Sequence, residues 1–278
     1  QMGLVASDRV FHILDTDTVI EDKGTASPER IAGHISFQKV WFAYNARDYV
    51  LRDINFEVTP GETLAIVGST GSGKTTIINI LNRFYEIQRG RILVDDLDIR
   101  EYELSALRNH MAIVLQDVFL FSGSVLENIT LLDPSISREE VEEAAKMIGA
   151  HAFIEKLPGA YDYKVMERGA TLSMGQRQLI SFVRALVFDP GILILDEATS
   201  SIDPETESVI QYAIEQLISR RTSIIIAHRL STIRHADKIL VLDKGEVAEF
   251  GPPSELLARE NGHYRQLYEM QFVSASAE

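Results

Sequence analysis

The sequence has no cysteine, which excludes disulfide staples, thiolate metal sites and a cysteine nucleophile. It is also short of positive charge, with 27 Lys and Arg against 41 Asp and Glu and a formal net charge of −14. A chain this acidic repels a polyanion as a whole, so no nucleic-acid partner is expected, although a local phosphate site remains open to it. Long apolar runs are missing too. Stretches such as Ile192-Leu193-Ile194-Leu195 and Ile224-Ile225-Ile226-Ala227 fall far short of the about 20 apolar residues that a membrane helix needs. No leader pattern is legible at the start. The chain on its own is expected to be soluble.

What is present suits a globular domain. Apolar residues make up 45% and charged residues 24%, enough to build a core. Residues 1–30 are mixed, turning polar around Gly24, Ser27 and Pro28, and are expected to be a linker ahead of a folded domain at 31–278. Short β-rich runs follow at 35–41, 54–58 and 63–67, then apolar Ile77, Ile78, Ile80, Leu81 and Phe84 at helical spacing over 74–84. Further strands are expected at 91–94 and 111–115. Residues 124–188 turn mostly helical, 138–148 most clearly, and a helical subdomain is placed at about 117–188. Strands return at 192–195, 223–227, 238–242 and 246–249, with helices at 205–219 and 262–270. Strands alternating with helices predict an α/β fold with a largely parallel core sheet.

Gly68-Ser69-Thr70-Gly71-Ser72-Gly73-Lys74-Thr75 fits the P-loop pattern G-x-x-x-x-G-K-[ST]. Glycines let the backbone wrap closely around phosphates with its N–H groups inward, and the helix that follows adds its positive end. Lys74 then reaches the β- and γ-phosphates of ATP, and the Thr75 hydroxyl ligates Mg²⁺. The bland alternative, a Gly/Ser turn with an incidental lysine, fits the strand-loop-helix context poorly.

A second constellation closes the strand at 192–195, where Asp196 and Glu197 follow. Ligands of open α/β sheets sit beyond the carboxyl ends of strands. Asp196 would face the Mg²⁺, and Glu197 the water that attacks the γ-phosphate. Alone, an acidic strand end is commonplace; beside a P-loop it gains meaning.

Three further segments narrow the choice among P-loop proteins. Leu172-Ser173-Met174-Gly175-Gln176 opens a helix, with Ser173 as its N-cap. Gln116 follows one strand and His228 another. A lone Gln or His at a strand end is usually structural, and these two matter by order and spacing. Together the segments resemble the ATPase domains of ABC transporters over about residues 33–272, with Leu172–Gln176 similar to that family's LSGGQ signature, Gln116 to its Q-loop and His228 to its switch histidine. Ser200-Ser201-Ile202-Asp203 looks like its D-loop. The resemblance implies a P-loop NTPase (RecA-like) core with an antiparallel β subdomain and an inserted α-helical subdomain.

It also implies roles. ATP would contact Tyr44, stacked on the adenine, and the loop with Thr76 and Gln116. Ser173, Gly175, Gln176 and Asp203 would serve the opposite member of a head-to-tail dimer. Glu197, His228, Lys74 and Gln116 would be catalytic, and Thr75, Gln116 and Asp196 would hold Mg²⁺. Val165-Met166-Glu167-Arg168-Gly169 resembles the loop by which exporters touch their membrane domains, and residues 6–14 the segment joining membrane helix to ATPase. The implied partners are a second ATPase domain and a transmembrane domain at the cytoplasmic face of an inner or plasma membrane. Two positions depart from the family: Met174 replaces a signature glycine, and Asp95-Asp96 stands where Asp-Gly is usual in a tight turn. The competing readings are a chromosome-maintenance or DNA-repair ATPase, which usually carries long coiled coils or DNA-binding modules, a two-cassette ribosomal factor, and an importer's ATPase subunit. No heptad tract separates P-loop and signature here.

Overall fold

The computed structural model describes residues 7–11, 15, 20–45, 48–196, 204–219, 221–227, 233 and 236–275. Its centre is a six-stranded sheet in the order β12-β11-β3-β10-β9-β6, formed by β3 (Thr63–Gly68), β6 (Met111–Val114), β9 (Ile192–Asp196), β10 (Thr222–Ile226), β11 (Lys238–Asp243) and β12 (Glu246–Gly251). Five strands run parallel, and β12 pairs antiparallel at one edge. The apolar strands explain this placement. Ala65, Val67, Leu193, Leu195, Ile225 and Val241 face one core, while Leu64, Ile66, Ile192, Ile194, Ile224 and Leu240 face another. A parallel strand buried on both faces needs apolar residues at every position rather than at alternate ones.

The second core lies under an antiparallel sheet of order β2-β1-β4-β5, made of β1 (Ile35–Phe42), β2 (Leu51–Val58), β4 (Arg89–Val94) and β5 (Leu97–Asp98). Helix α1 (Lys74–Leu81) packs into the same core through Ile77, Ile78, Ile80 and Leu81. It stops three residues short of the apolar pattern. Arg83, at φ 50°, turns left-handed, and Phe84 N–H donates back to Asn79 O at 2.9 Å, a C-terminal cap of the kind glycine usually supplies. The guanidinium of Arg83 is held instead in the interior by Ile99 O and the Glu86 carboxylate.

The first core is closed by helices. After α2 (Leu104–Asn109) come α3 (Val125–Thr130), α4 (Arg138–Met147), α5 (His151–Ile154) and α6 (Met174–Val187), then α7 (Pro204–Ile218), α8 (Pro253–Ala258) and α9 (His263–Ala275). A small two-stranded sheet, β7 (Gly123–Ser124) with β8 (Lys164–Val165), interrupts the helical stretch. These strands, like β5 and the short helices α2 and α8, carry too few residues to show a period. Residues 21–34 are bound to the body: Thr25 and Ala26 N–H donate to Glu101 O, and the Asp22 carboxylate accepts from Leu104 N–H at the start of α2. The Asp95-Asp96 turn is a left-handed pair, φ 48° and 64°. Its Asp95 carboxylate accepts from the backbone N–H groups of Ala32, Gly33 and His34, which offsets the strain of a turn lacking glycine. Among the described residues, no helix is long and apolar enough to cross a membrane.

Candidate functional site

Three of the parallel strands deliver the candidate residues to one edge of the sheet. In register, Ile66 of β3 lies beside Ile226 of β10, and Ile226 beside Asp196 of β9. The 68–75 loop, Asp196 and, beyond the end of β6, Gln116 therefore leave the sheet on the same side. This is where a parallel sheet leaves room for a ligand.

The loop is built around its lysine. Lys74 is 8% exposed, and its ammonium donates to Gly68 O at 2.8 Å and Ser69 O at 3.0 Å. Burial pushes the Lys74 pKa below its ordinary 10.5, and the Asp196 carboxylate opposes that shift. The acid at the end of β9 and the lysine after β3 thus feel each other across the intervening strand. Ser69, Thr70 and Gly71 are exposed along the rim. Gly68, at φ 152°, is a position only glycine fits, since a Cβ there would lie 2.3 Å from Leu242 O. Ser72 is 2% exposed, and its hydroxyl is buried without a partner.

The start of α1 differs from those of α3, α4 and α6, and like those of α2, α5 and α8 it has no side-chain cap. Ser124, Ser137 and Ser173 each form reciprocal capping boxes, with Glu127, Glu140 and Gln176. Gly73, at the N-cap of α1, supplies no side-chain cap. The first N–H groups of α1 are left for a ligand, and a helix N-terminus with free amides attracts phosphate. Thr75 is exposed in that first turn, while Thr76 is buried.

Tyr44 stands just past β1. Its hydroxyl lies 3.1 Å from Thr76 Oγ1 and accepts from Asn79 Nδ2 at 3.2 Å, which ties its ring to α1. Phe42 and Tyr85 hold the ring edge-on at centroid distances of 4.8 and 4.9 Å, yet Tyr44 remains 49% exposed. An anchored aromatic with an open surface suits base stacking. The supports Asn79 and Tyr85 were not singled out from the sequence; their only signal is proximity to the helix that follows the loop.

The signature segment is elsewhere, at the start of α6. Ser173 and Gln176 bond to each other, Ser173 Oγ accepting from Gln176 N–H at 3.2 Å and Gln176 Oε1 from Ser173 N–H at 3.0 Å. Met174 is 40% exposed and Gly175 is buried. Tyr44, Thr76, the loop and Asp196 are brought together, whereas Ser173, Gly175 and Gln176 make only local bonds among those described. Glu197, Asp203 and His228 lie outside the described residues. The 165–169 loop adjoins the segment after Gln116, since Arg168 N–H donates to Leu120 O at 3.1 Å. Exposed Phe119, Phe121 and Met166 border that junction.

Known proteins place this arrangement. Residues 51–200 match the family described as ABC transporter. A probable multidrug resistance ABC transporter ATP-binding/permease protein, YheH of Bacillus subtilis (strain 168), is 49% identical over 271 residues, 98% of this chain and 40% of that protein. The ATP-dependent lipid A-core flippase of Mannheimia succiniciproducens is 47% identical, over 98% of this chain and 46% of its own length. The solved structure of a bacterial Atm1-family ABC exporter with ATP bound superposes with a TM-score of 0.87 at 40% identity, covering 97% of this chain and 47% of that one. The chain thus spans less than half the length of the relatives it matches. Because the family match runs from the start of β2 to beyond β9, enclosing both the phosphate loop and Asp196, this chain belongs to the ABC transporter family and forms an ATPase domain within it.

Proposed function

We propose that this chain binds ATP between Tyr44 and the 68–76 loop and hydrolyses it to drive export by a membrane transporter. The observation that carries the reading is the buried Lys74 ammonium on the Gly68 and Ser69 carbonyls, with Asp196 near enough to act on its charge. Phosphoryl transfer needs positioning and charge stabilisation more than covalent chemistry. Lys74 and the uncapped amides of α1 neutralise the β- and γ-phosphates, Glu197 polarises the attacking water, and His228 contacts the γ-phosphate. The donors at the strand edge, the Thr75 hydroxyl, the Asp196 carboxylate and the Gln116 amide oxygen, are all hard oxygens of the sort Mg²⁺ prefers. They would hold the ion, which when bound spreads charge off the phosphate oxygens.

The working unit is a pair of such domains on a transmembrane domain, at the cytoplasmic face of the membrane. The names of the relatives, a permease, a flippase and an exporter, support that setting. Ser173, Gly175, Gln176 and Asp203 belong to the partner's nucleotide, so ATP closes the pair and hydrolysis reopens it. Residues 1–30 lead in from the membrane part, with 22–28 laid against the ATPase body. The 165–169 loop and the exposed Phe119 and Phe121 form the contact through which Gln116 reports nucleotide state.

ATPase assays on the chain with and without Mg²⁺, beside Glu197→Gln, test the reading. Mg²⁺-dependent turnover should be lost in Glu197→Gln while ATP binding is kept. Near-normal turnover in that variant would remove Glu197 as the base, and a wild-type chain without ATP binding would remove the site.

A further inference from the structure

One residue outside the phosphate loop holds it from beneath. Lys244 and Gly245 form the two-residue turn between β11 and β12, flanked by the Asp243–Glu246 pair. Both sit left-handed, at φ 48° and 83°, the geometry of a tight hairpin. The Gly245 N–H donates to Ser72 O at 3.1 Å, and its carbonyl accepts from Arg52 N–H at 2.8 Å. The turn therefore joins the loop after β3 to β2, the edge strand of the antiparallel sheet. That strand in turn meets the end of β1 through Leu51 opposite Phe42, two residues before Tyr44. There is no room for a side chain: a Cβ on residue 245 would lie 2.0 Å from Val50 O.

We propose that Gly245 is a positioning residue for the phosphate cradle. A trans peptide points its C=O and the following N–H in opposite directions. Drawing the Ser72 carbonyl toward the hairpin turns the Gly73 N–H away from it. The same turn fixes the edge strand that leads back to Tyr44, so the two ends of a nucleotide are set against one fixed point. The inference rests on the nucleotide-binding reading above.

Titration of ATP and of inorganic tripolyphosphate into the 278-residue chain tests it. Gly61→Ala is the control, since Gly61 is also left-handed, at φ 80°, but has no atom within 4 Å of a Cβ. Gly245→Ala should weaken both ligands about tenfold, the scale of one lost backbone hydrogen bond, and shift the phosphorus resonance of bound ADP. Gly61→Ala should change neither. Should Gly245→Ala not fold, one glycine inserted after Lys244 displaces the turn without the collision and carries the same expectation. In the wild-type chain, the Gly245 amide proton signal should move when tripolyphosphate binds. Wild-type affinity in whichever variant folds, an equal loss in Gly61→Ala, or an unmoved Gly245 amide overturns the proposal. A wild-type chain that binds neither ligand overturns the site instead.

Discussion

Lys74 Nζ sits 2.8 Å from the carbonyl oxygen of Gly68, six residues before it in the chain and at the other end of the same loop. The lysine thereby braces the cradle it is proposed to serve, and its ammonium must be shared between loop carbonyls and phosphate. Lys74→Ala removes the donor of both interactions at once. ATP affinity should fall by about 10- to 100-fold, as expected for a charge-assisted hydrogen bond of about 1.5–3 kcal/mol. Isothermal titration measures this, and an unchanged affinity would contradict the assigned role.

Tyr44 separates ring from hydroxyl. Tyr44→Ala should cost about 1–3 kcal/mol of ATP binding through lost stacking. Tyr44→Phe keeps the ring but loses the bonds to Thr76 and Asn79, so its cost should stay near the about 0.5–1.5 kcal/mol of an ordinary hydrogen bond. Equal losses in the two variants would mean that the hydroxyl, not the face of the ring, serves the site. Fluorescent nucleotide titrations decide between these outcomes.

The start of α6 invites two substitutions with different readouts. Ser173→Ala breaks a capping box and should lower stability by about 1 kcal/mol, visible in thermal unfolding without nucleotide. Met174→Gly should leave that cap intact and clear a side chain 40% exposed at the helix start. ATP-dependent pairing of two chains should then strengthen, as read by light scattering of each variant in the Glu197→Gln background. Pairing that weakens in Met174→Gly would show that the methionine adds contact rather than obstructing it.

Acid should loosen the junction of the antiparallel sheet. Burial alone would raise the pKa of Asp98, but hydrogen bonds from the Arg100 side chain and backbone, with the charge of Arg100, outweigh it and leave the carboxyl below its ordinary 3.8. A depressed carboxyl stabilises the fold above its unfolded value, and that contribution is lost as pH falls through the folded one. Urea midpoints should therefore drop below about pH 4, and less steeply in Asp98→Asn. Equal acid slopes for the two proteins would remove Asp98 from the account.

Much of the site could be read directly from the chain because its parts are contiguous. Glycines, lysine and threonine of the loop stand in one octapeptide, and Asp196 adjoins its own apolar strand. The strands of the central sheet were legible for a similar reason, since burial on both faces leaves unbroken apolar runs such as Ile224-Ile225-Ile226. The two-residue β5, β7 and β8 and the six-residue helices α2 and α8 leave no period to read. The end of α1 is not legible in the sequence because Arg83 adopts a left-handed cap of the kind expected of glycine.

By itself, then, the order of residues determined which chemistry the chain carries and that a largely parallel sheet would present it, because both depend on neighbours along the backbone. Only the tertiary structure decided what surrounds that chemistry. The Ser72–Gly245 bond and the Tyr44–Thr76 contact join residues far apart in the chain. Such pairings arise from sheet register and core packing, which no local pattern encodes.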